Sequence, residues 1–133
     1  MRKIFLSLLL VAPLIISGCS SITNLTPSKL PRNTTGLYQV EAAWHTPQGA
    51  RGAGNAVPLS GDTGTFWFFT ASNVEVVLKV LDGRPANGKF WVFYGALSDV
   101  EYTLTVTDTQ TGVTKVYRNP SGRLASVADT EAF

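Results

Sequence analysis

The chain has 133 residues, with 11 basic and 9 acidic side chains, 44% hydrophobic residues, one cysteine and one histidine. This length fits one ordinary domain, a single cysteine excludes an internal disulfide, and so few His and Cys residues exclude the usual zinc sites. The net charge of +2 equals the charge of Arg2 and Lys3, so the remaining chain lacks the clustered positive charge that nucleic-acid binding requires.

The first 18 residues have the layout of a signal peptide. Arg2 and Lys3 precede an apolar stretch from 4 to 16, which Pro13 interrupts. A membrane-spanning helix needs roughly 20 apolar residues and tolerates an interior proline poorly, so this stretch does not predict a span. We therefore expect residues 1–18 to be removed during export.

The sequence Ile16-Ser17-Gly18-Cys19 resembles the lipobox of bacterial lipoproteins. This resemblance implies a diacylglyceryl group on the Cys19 thiol and cleavage before it, so that Cys19 becomes the mature N-terminus and anchors the protein to a membrane through lipid. The alternative is an ordinary secretory signal whose apolar segment ends near a cysteine. Ser20 stands where an aspartate is associated with inner-membrane retention, so the outer membrane is favoured in an organism that has one.

Residues 19–35 are predicted to be the acylated N-terminus and a flexible tether. They are polar, contain Pro27 and Pro31, and show no sustained hydrophobic period. Fully extended, residues 20–35 reach roughly 50 Å. That length is enough to hold a folded domain away from the lipid headgroups.

Residues 36–133 have the composition of a β domain, because aromatic and β-branched residues occur between breaks rich in Gly, Asn and Asp. Apolar and polar residues alternate with a period of two, which is typical of a strand with one buried face. This pattern predicts strands near 38–44, 74–80 and 100–106.

The turn residues of the domain divide these strands. The segment 108–112 has the Asp, Thr and Gly composition of a hairpin loop, so a strand near 113–118 should pair antiparallel with the one before it. Residues 119–122, Asn-Pro-Ser-Gly, are expected to end that strand. A further strand is expected near 50–57, and residues 55–64 are predicted to be a loop or an irregular edge.

A weak internal repeat lies within the domain. The sequence GTFWFF at 64–69 is matched by GKFWVF at 88–93, and residues 73–82 are matched by 99–108. Each unit combines an aromatic strand, a turn and an alternating strand, so two copies predict a four-stranded antiparallel unit. With the remaining strands, we expect a small all-β antiparallel sandwich or barrel of about seven strands.

Several separated motifs occur in order along 36–133, among them FWFF at 66–69, NVE at 73–75, KVLDG at 79–83 and FWVF at 90–93. Together they resemble a β module that often forms the C-terminal part of bacterial exported proteins. The resemblance implies export and a β fold. It implies no established biochemical activity and no cofactor.

The two aromatic runs supply the candidate binding residues. Burial in a small core is the expected role of such large side chains. The alternative is that one parity of each run lies open, because an exposed aromatic patch usually marks a binding site for a partner or a sugar. The candidate binding surface comprises Trp67, Trp91, Phe69 and Phe93, which share one parity, whereas Phe66, Phe68, Phe90 and Val92 share the other.

Carboxylates offer a second hypothesis, a hydrolase of envelope polymers. Glycoside hydrolysis needs two carboxyl groups on opposite sides of the scissile bond, and Glu75, Asp99 and Glu101 are the candidates. Strand alternation instead places Glu101 with threonines on a solvated face. The lone His45 is expected to be a surface or loop histidine, since no serine in the sequence is placed beside it as a nucleophile.

Acidic residues near turns provide a third possibility, calcium binding. The spacing of an EF-hand loop is absent, so formation of turns through hydrogen bonds from the side chain to the backbone is the expected role. The residues concerned are Asp62, Asp82, Asp108 and Asp129. The sequence therefore favours a non-catalytic, lipid-anchored module that binds or scaffolds an envelope protein or polysaccharide, and it predicts no metal site.

Overall fold

The computed structural model describes residues 29–30 and 37–133. These residues form an all-β fold with one helix of four residues. The elements are β1 (Lys29–Leu30), β2 (Tyr38–His45), β3 (Arg51–Ala53), β4 (Asn55–Pro58), β5 (Thr63–Trp67), β6 (Val76–Asp82), α1 (Arg84–Asn87), β7 (Phe90–Ala96), β8 (Glu101–Asp108), β9 (Thr114–Asn119) and β10 (Ser126–Asp129).

Two five-stranded antiparallel sheets pack against each other. Sheet A has the order β1-β2-β8-β9, with β3 also paired to β2, and sheet B has the order β10-β7-β6-β5-β4. Neither sheet closes on itself within the described residues, so the architecture is a two-layer sandwich. The predicted all-β antiparallel class is confirmed, with additional short strands at the sheet edges.

The core lies between the sheets and is built from alternate residues of each strand. Strands β2 and β8 pair along their whole length, from Tyr38 opposite Asp108 to His45 opposite Glu101, so their apolar residues share the inner face. Burial raises the pKa of Tyr102 to about 12, and its hydroxyl lacks a hydrogen-bond partner within the described residues. The most deeply buried large side chains are Tyr102, Phe66, Leu78, Leu104, Val76, Val92 and Val106.

The internal repeat does not produce the predicted four-stranded unit. Strands β5, β6 and β7 are neighbours in sheet B, but β8 belongs to sheet A and pairs with β2 and β9. The reason is that β7 already has β6 on one edge and β10 on the other. No edge of β7 remains for β8, so the chain crosses to the opposite sheet after Ala96.

The hairpin between β8 and β9 is as predicted. The carboxylate of Asp108 accepts hydrogen bonds from the backbone N–H of Gln110 and from the hydroxyl of Thr111, and Gly112 adopts a φ of +75°. Strand β9 then pairs antiparallel with β8 and ends at Asn119. The Asp side chain therefore forms the turn that sets this register.

The segment predicted as a strand near 50–57 is divided at Gly54, where the chain passes from sheet A to sheet B. The Gly54 N–H donates to the carbonyl of Ala42 in β2, whereas the next residue, Asn55, already pairs with Trp67 in β5. A Cβ atom on Gly54 would lie 2.8 Å from the Cβ of Ala42, so this crossing requires glycine. Strand β4 is the edge of sheet B, which agrees with the irregular edge predicted there.

Part of the predicted tether is a strand. Lys29 and Leu30 pair with Glu41 and Val40 of β2, and the Lys29 ammonium forms an ion pair with the Glu41 carboxylate. The segment that links Cys19 to the folded domain is therefore shorter than the predicted range of 19–35. Among the described residues, there is no helix with the length and apolar character that a membrane crossing demands.

Candidate functional site

The aromatic runs alternate between the core and the outer face of sheet B. Phe66 and Phe90 are buried between the sheets, whereas Trp67, Trp91 and Phe93 are only partly buried and lie outside the core cluster. Burial in the core therefore explains one parity of each run, and the other parity faces outward. These partly exposed, outward-facing aromatic residues are among those proposed from the sequence as a binding surface.

The structure does not bring the four candidate residues together. Trp91 and Phe93 are neighbours, with ring centroids 6.2 Å apart, and both lie on β7. Phe69 is 47% exposed and packs edge-on against Trp44, with centroids 4.8 Å apart. Trp67 ends β5, at the opposite end of sheet B from Trp91. The predicted surface is therefore divided into separate parts.

Trp91 has a structural role. Its indole covers Gly83, and the indole Nε1 donates a hydrogen bond of 2.9 Å to Oδ1 of Asn87 at the end of α1. A Cβ atom on Gly83 would lie 2.1 Å from Cε2 of this ring. Trp91 thus holds the turn that contains α1 against sheet B. Its indole ring is in contact with Gly83 and Asn87.

Phe93 lies on the outer face of sheet B beside a cation and a hydroxyl group. It lies opposite Lys79 of β6, whose ammonium is 5.2 Å from the centroid of the ring, within the range of a cation–π interaction. Lys79 in turn lies opposite Thr63 of β5. An aromatic ring, a cation and a hydroxyl therefore stand in adjacent positions across three strands.

Beside this row lies a shallow groove of about 600 Å³ on the outer face of sheet B. Gly95 forms part of its floor, because a Cβ atom at this position would have no heavy atom within 4 Å. We call this feature the sheet B groove. It is lined by Thr63, Val77, Lys79, Phe93, Tyr94, Gly95, Ser126, Val127 and Ala128.

The sequence interpretation missed Gly95 and Lys79. Gly95 interrupts an aromatic strand, and an isolated glycine in a strand often marks a bulge or the close approach of another molecule. Gly52, Gly54 and Gly83 each have a neighbouring side chain that a Cβ would crowd, and Gly88 has a φ of +78°. Gly95 has neither requirement, which distinguishes it from these glycines.

A second depression, of about 500 Å³, lies on the outer face of sheet A. His45, Arg51 and Glu101 line it together with Ala43 and other residues. The Nδ1 atom of His45 is 3.7 Å from Oε2 of Glu101, beyond hydrogen-bond distance, and both side chains are about half exposed. His45 is therefore the surface histidine that was predicted, and its pairing with Glu101 is a solvated contact.

The carboxylates considered for hydrolysis lie in different parts of the fold. Glu75 is 4% exposed, precedes β6 of sheet B and accepts a hydrogen bond from the side chain of Asn73. Glu101 faces solvent from β8 of sheet A, on the threonine face as predicted, and Asp99 lies before that strand begins. The side chains of Glu75 and Glu101 thus belong to different sheets.

The turn-forming role predicted for the aspartates is observed at Asp82, Asp108 and Asp129. The Asp108 side chain forms the β8–β9 turn, the Asp82 side chain accepts a hydrogen bond from the backbone N–H of Arg84, and the Asp129 side chain accepts one from the backbone N–H of Glu131. Asp62 accepts a hydrogen bond at its backbone carbonyl from Val80. In the described ranges, no three His, Cys, Asp or Glu side chains are grouped so that they could hold a metal ion.

Cys19 lies outside the described residues, so lipid attachment at this position stays a prediction. Comparison of the chain with protein-family models found no match. Comparisons with curated proteins and with solved structures also found none. The resemblance to a module of exported proteins therefore stays a prediction as well. The sheet B groove is the candidate site that contains one of the predicted binding residues, Phe93.

Proposed function

We propose that this chain is a lipid-anchored lipoprotein of the bacterial cell envelope, whose non-catalytic β-sandwich binds another envelope component through the sheet B groove. The lipobox-like sequence ending at Cys19 supports the anchor. The open floor at Gly95, beside Phe93 and Lys79, supports the binding surface. Envelope binding is thus the function that the sequence and the geometry favour together.

Gly95 is the observation that carries this proposal. Glycine in a strand interior destabilises the fold by roughly 0.5–1 kcal/mol relative to alanine, because it loses more conformational entropy on folding. The space above Gly95 would admit a side chain without a clash. We infer that glycine at this position leaves the backbone accessible to a molecule outside the folded chain, as it does where a ligand approaches the backbone closely.

The chemistry of the groove indicates the kind of ligand. The Phe93 ring offers an apolar surface for stacking, Lys79 offers a cation, and Thr63 and Ser126 offer hydroxyl groups. Small-molecule sites enclose most of their ligand, whereas this groove is shallow and open to solvent. It therefore suits a segment of a longer polymer, either an envelope polysaccharide or an extended polypeptide.

A steric block tests the groove. Gly95→Leu adds a side chain above the floor, and Ala43→Leu adds a similar side chain to the exposed outer face of sheet A as a matched control. The acylated protein is incubated with detergent-solubilised envelope and cross-linked. Wild type and Ala43→Leu should recover the same partner, and Gly95→Leu should lose it. Equal recovery by all three proteins would refute the groove as the binding surface.

The anchor has a separate test. Cys19→Ser should abolish labelling by radioactive fatty acid and release the protein from the membrane fraction, because the acyl chains supply the attachment. Unchanged membrane fractionation of this variant would contradict the lipid anchor. That result would leave binding through the groove intact, since the groove lies in the folded domain.

A further inference from the structure

A second cavity, of about 430 Å³, adjoins the sheet B groove. Tyr94, Ser126 and Val127 line both cavities, so the two lie side by side. We call the second cavity the arginine cleft, because Arg118 and Arg123 line it. Its other lining residues are Asn119, Pro120, Leu124 and Ala125.

Hydrogen bonds fix the backbone of both arginines. The side-chain amide of Asn119, which is buried, donates to the carbonyl of Arg123 at 2.7 Å. Asn119 directly follows Arg118 at the end of β9, so one buried residue links the backbone at the two positions. The loop between them is held further by the N–H of Gly122, which donates to the carbonyl of Asp99. The backbone of the cleft is therefore ordered before a ligand arrives, which lowers the entropic cost of binding.

Within the described residues, Arg118 and Arg123 have no ion-pair partner. All 9 acidic residues of the chain belong to this part, at positions 41–131. The residues that the structure does not describe, 1–28 and 31–36, contain no Asp or Glu. Both guanidinium groups are therefore available to an acidic group of another molecule.

The two adjoining cavities carry one sign of charge. Lys79 lines the sheet B groove and two arginines line the cleft, and no described Asp or Glu lines either cavity. In the sheet A depression, by contrast, Glu101 accompanies Arg51. Glu101 lies 3.7 Å from His45 and forms no ion pair with Arg118. Guanidinium groups bind carboxylates through paired hydrogen bonds, so the two cavities together favour a ligand that carries carboxylates.

The free edge of β10 borders both cavities. The N–H of Ala96 donates to the carbonyl of Ala125, and hydrogen-bonded pairs alternate along an antiparallel ladder. The N–H and C=O groups of Ser126 and Ala128 therefore point away from β7. Strand β10 is the last strand of sheet B in the described ranges, so this edge is open. Such an edge accepts an extended polypeptide as a further strand.

The aromatic ring of the groove favours a polypeptide over a polysaccharide. The ammonium of Lys79 lies over the Phe93 ring, 5.2 Å from its centroid. One face of the ring is therefore already covered by a cation, which leaves less of it for stacking with a sugar.

We propose that the partner of the sheet B groove is an extended acidic polypeptide, which pairs with the free edge of β10 and binds Arg118 and Arg123 through its carboxylates. This inference rests on the binding function proposed above and names the class of its partner. Main-chain hydrogen bonds to Ser126 and Ala128 supply affinity that is independent of side chains. The two guanidinium groups select acidic residues.

Fluorescence anisotropy of the acylated full-length protein in detergent tests the partner class. The probe is a labelled peptide of alternating Glu and Thr residues. Its mirror image, made of D-amino acids, has the same charge but the wrong twist for pairing with β10. Labelled oligogalacturonate represents an acidic polysaccharide. The protein should bind the L-peptide more tightly than either of the other two probes.

Paired substitutions test the arginines. Arg118→Gln combined with Arg123→Gln should weaken binding of the L-peptide by about tenfold or more, because charge-assisted hydrogen bonds are lost. Arg51→Gln combined with Lys89→Gln is the matched control, since it removes the same charge from residues that line neither cavity. The control should bind the L-peptide as wild type does.

Amide hydrogen exchange tests the edge. Bound L-peptide should slow exchange at Ser126 and Ala128, whereas Thr114 and Val116 of β9, the edge strand of sheet A, should exchange at an unchanged rate. Protection of β9 instead of β10 would overturn the proposed pairing.

The inference would also be overturned by equal binding of the L-peptide and its mirror image, by tighter binding of oligogalacturonate, or by equal affinity of the two paired variants. The envelope cross-linking test separates it from the proposed function. A partner that is lost with Gly95→Leu but recovered with Arg118→Gln and Arg123→Gln would overturn the acidic polypeptide and leave the groove as the binding surface.

Discussion

Replacing Gly83 by alanine places a methyl group against the indole ring of Trp91. The added Cβ would lie 2.1 Å from Cε2 and 2.2 Å from Nε1, far inside van der Waals contact. The backbone of Gly83 has a φ of −93°, which alanine adopts without strain, so the effect is purely steric. Trp91 must move and lose its hydrogen bond to Asn87.

The expected loss of stability in Gly83→Ala has two contributions. Overpacking of a well-fitted contact costs about 1–3 kcal/mol. Loss of the indole hydrogen bond costs roughly 0.5–1.5 kcal/mol more. We therefore expect Gly83→Ala to lower the free energy of unfolding by about 2–4 kcal/mol, which corresponds to a fall in Tm of roughly 10 °C or more for a domain of this size.

Gly95→Ala is the matched control, because the same methyl group enters open space there. It should raise the free energy of unfolding by about 0.5–1 kcal/mol. Urea unfolding followed by tryptophan fluorescence and by circular dichroism measures both variants. In a Trp91→Ala background the steric cost of Gly83→Ala should vanish. Equal stability of Gly83→Ala and Gly95→Ala would refute the packing described around α1.

Three further substitutions test individual interactions. Tyr102→Phe removes a buried hydroxyl that has no partner within the described residues, so thermal unfolding should show a gain of about 1 kcal/mol, and a loss would indicate an unseen hydrogen bond. Tyr117→Phe removes a hydrogen bond of 2.7 Å to Asp129 that joins β9 to β10, so the same measurement should show a loss of roughly 1–2 kcal/mol, and unchanged stability would contradict this link. The guanidinium of Arg84 lowers the pKa of Asp82 from 3.8 to about 2, so ionised Asp82 stabilises the fold above pH 3.8 and this contribution is lost as the pH falls toward 2. Urea midpoints of wild type and Asp82→Asn should therefore differ at neutral pH and converge toward pH 2, and a difference independent of pH would contradict the ion pair.

The strands with one buried face could be predicted from the sequence, because alternation is the direct result of burying one side. In β8, Tyr102 and Leu104 face the core while Thr103 and Thr105 face outward, as expected. The turn at Asp108 could also be predicted, since its side chain forms local hydrogen bonds. Both features depend on residues that are close together in the sequence.

The arrangement of the sheets could not be predicted in this way. The repeat correctly identified similar strands, but the place of β8 depends on β10 occupying the free edge of β7. Strand β10 has only four residues, Ser-Val-Ala-Asp, in which apolar and polar residue types do not alternate. Strand β1 has only two residues, and it is held by pairing with β2 and by the ion pair with Glu41. Such non-local pairing leaves little trace in a single sequence.

The candidate site was predicted only in part. An apolar run on both faces of a strand indicated burial, but the outer face of β7 is covered incompletely, by Lys79 over Phe93 and by α1 beside Trp91. The importance of Gly95 appears only when the space above it is known. The sequence therefore identified the aromatic strand, and the structure identified the part of it that is open.

The proposed function requires that the sheet B groove binds an envelope component. Photo-cross-linking in living cells tests it most directly, with a photoreactive amino acid replacing Ser126 in the groove or, as a control, Thr105 on the outer face of sheet A. We expect a discrete adduct from position 126 that is absent from position 105 and is lost when Gly95→Leu is added. No adduct from position 126, or the same adduct from both positions, would contradict it.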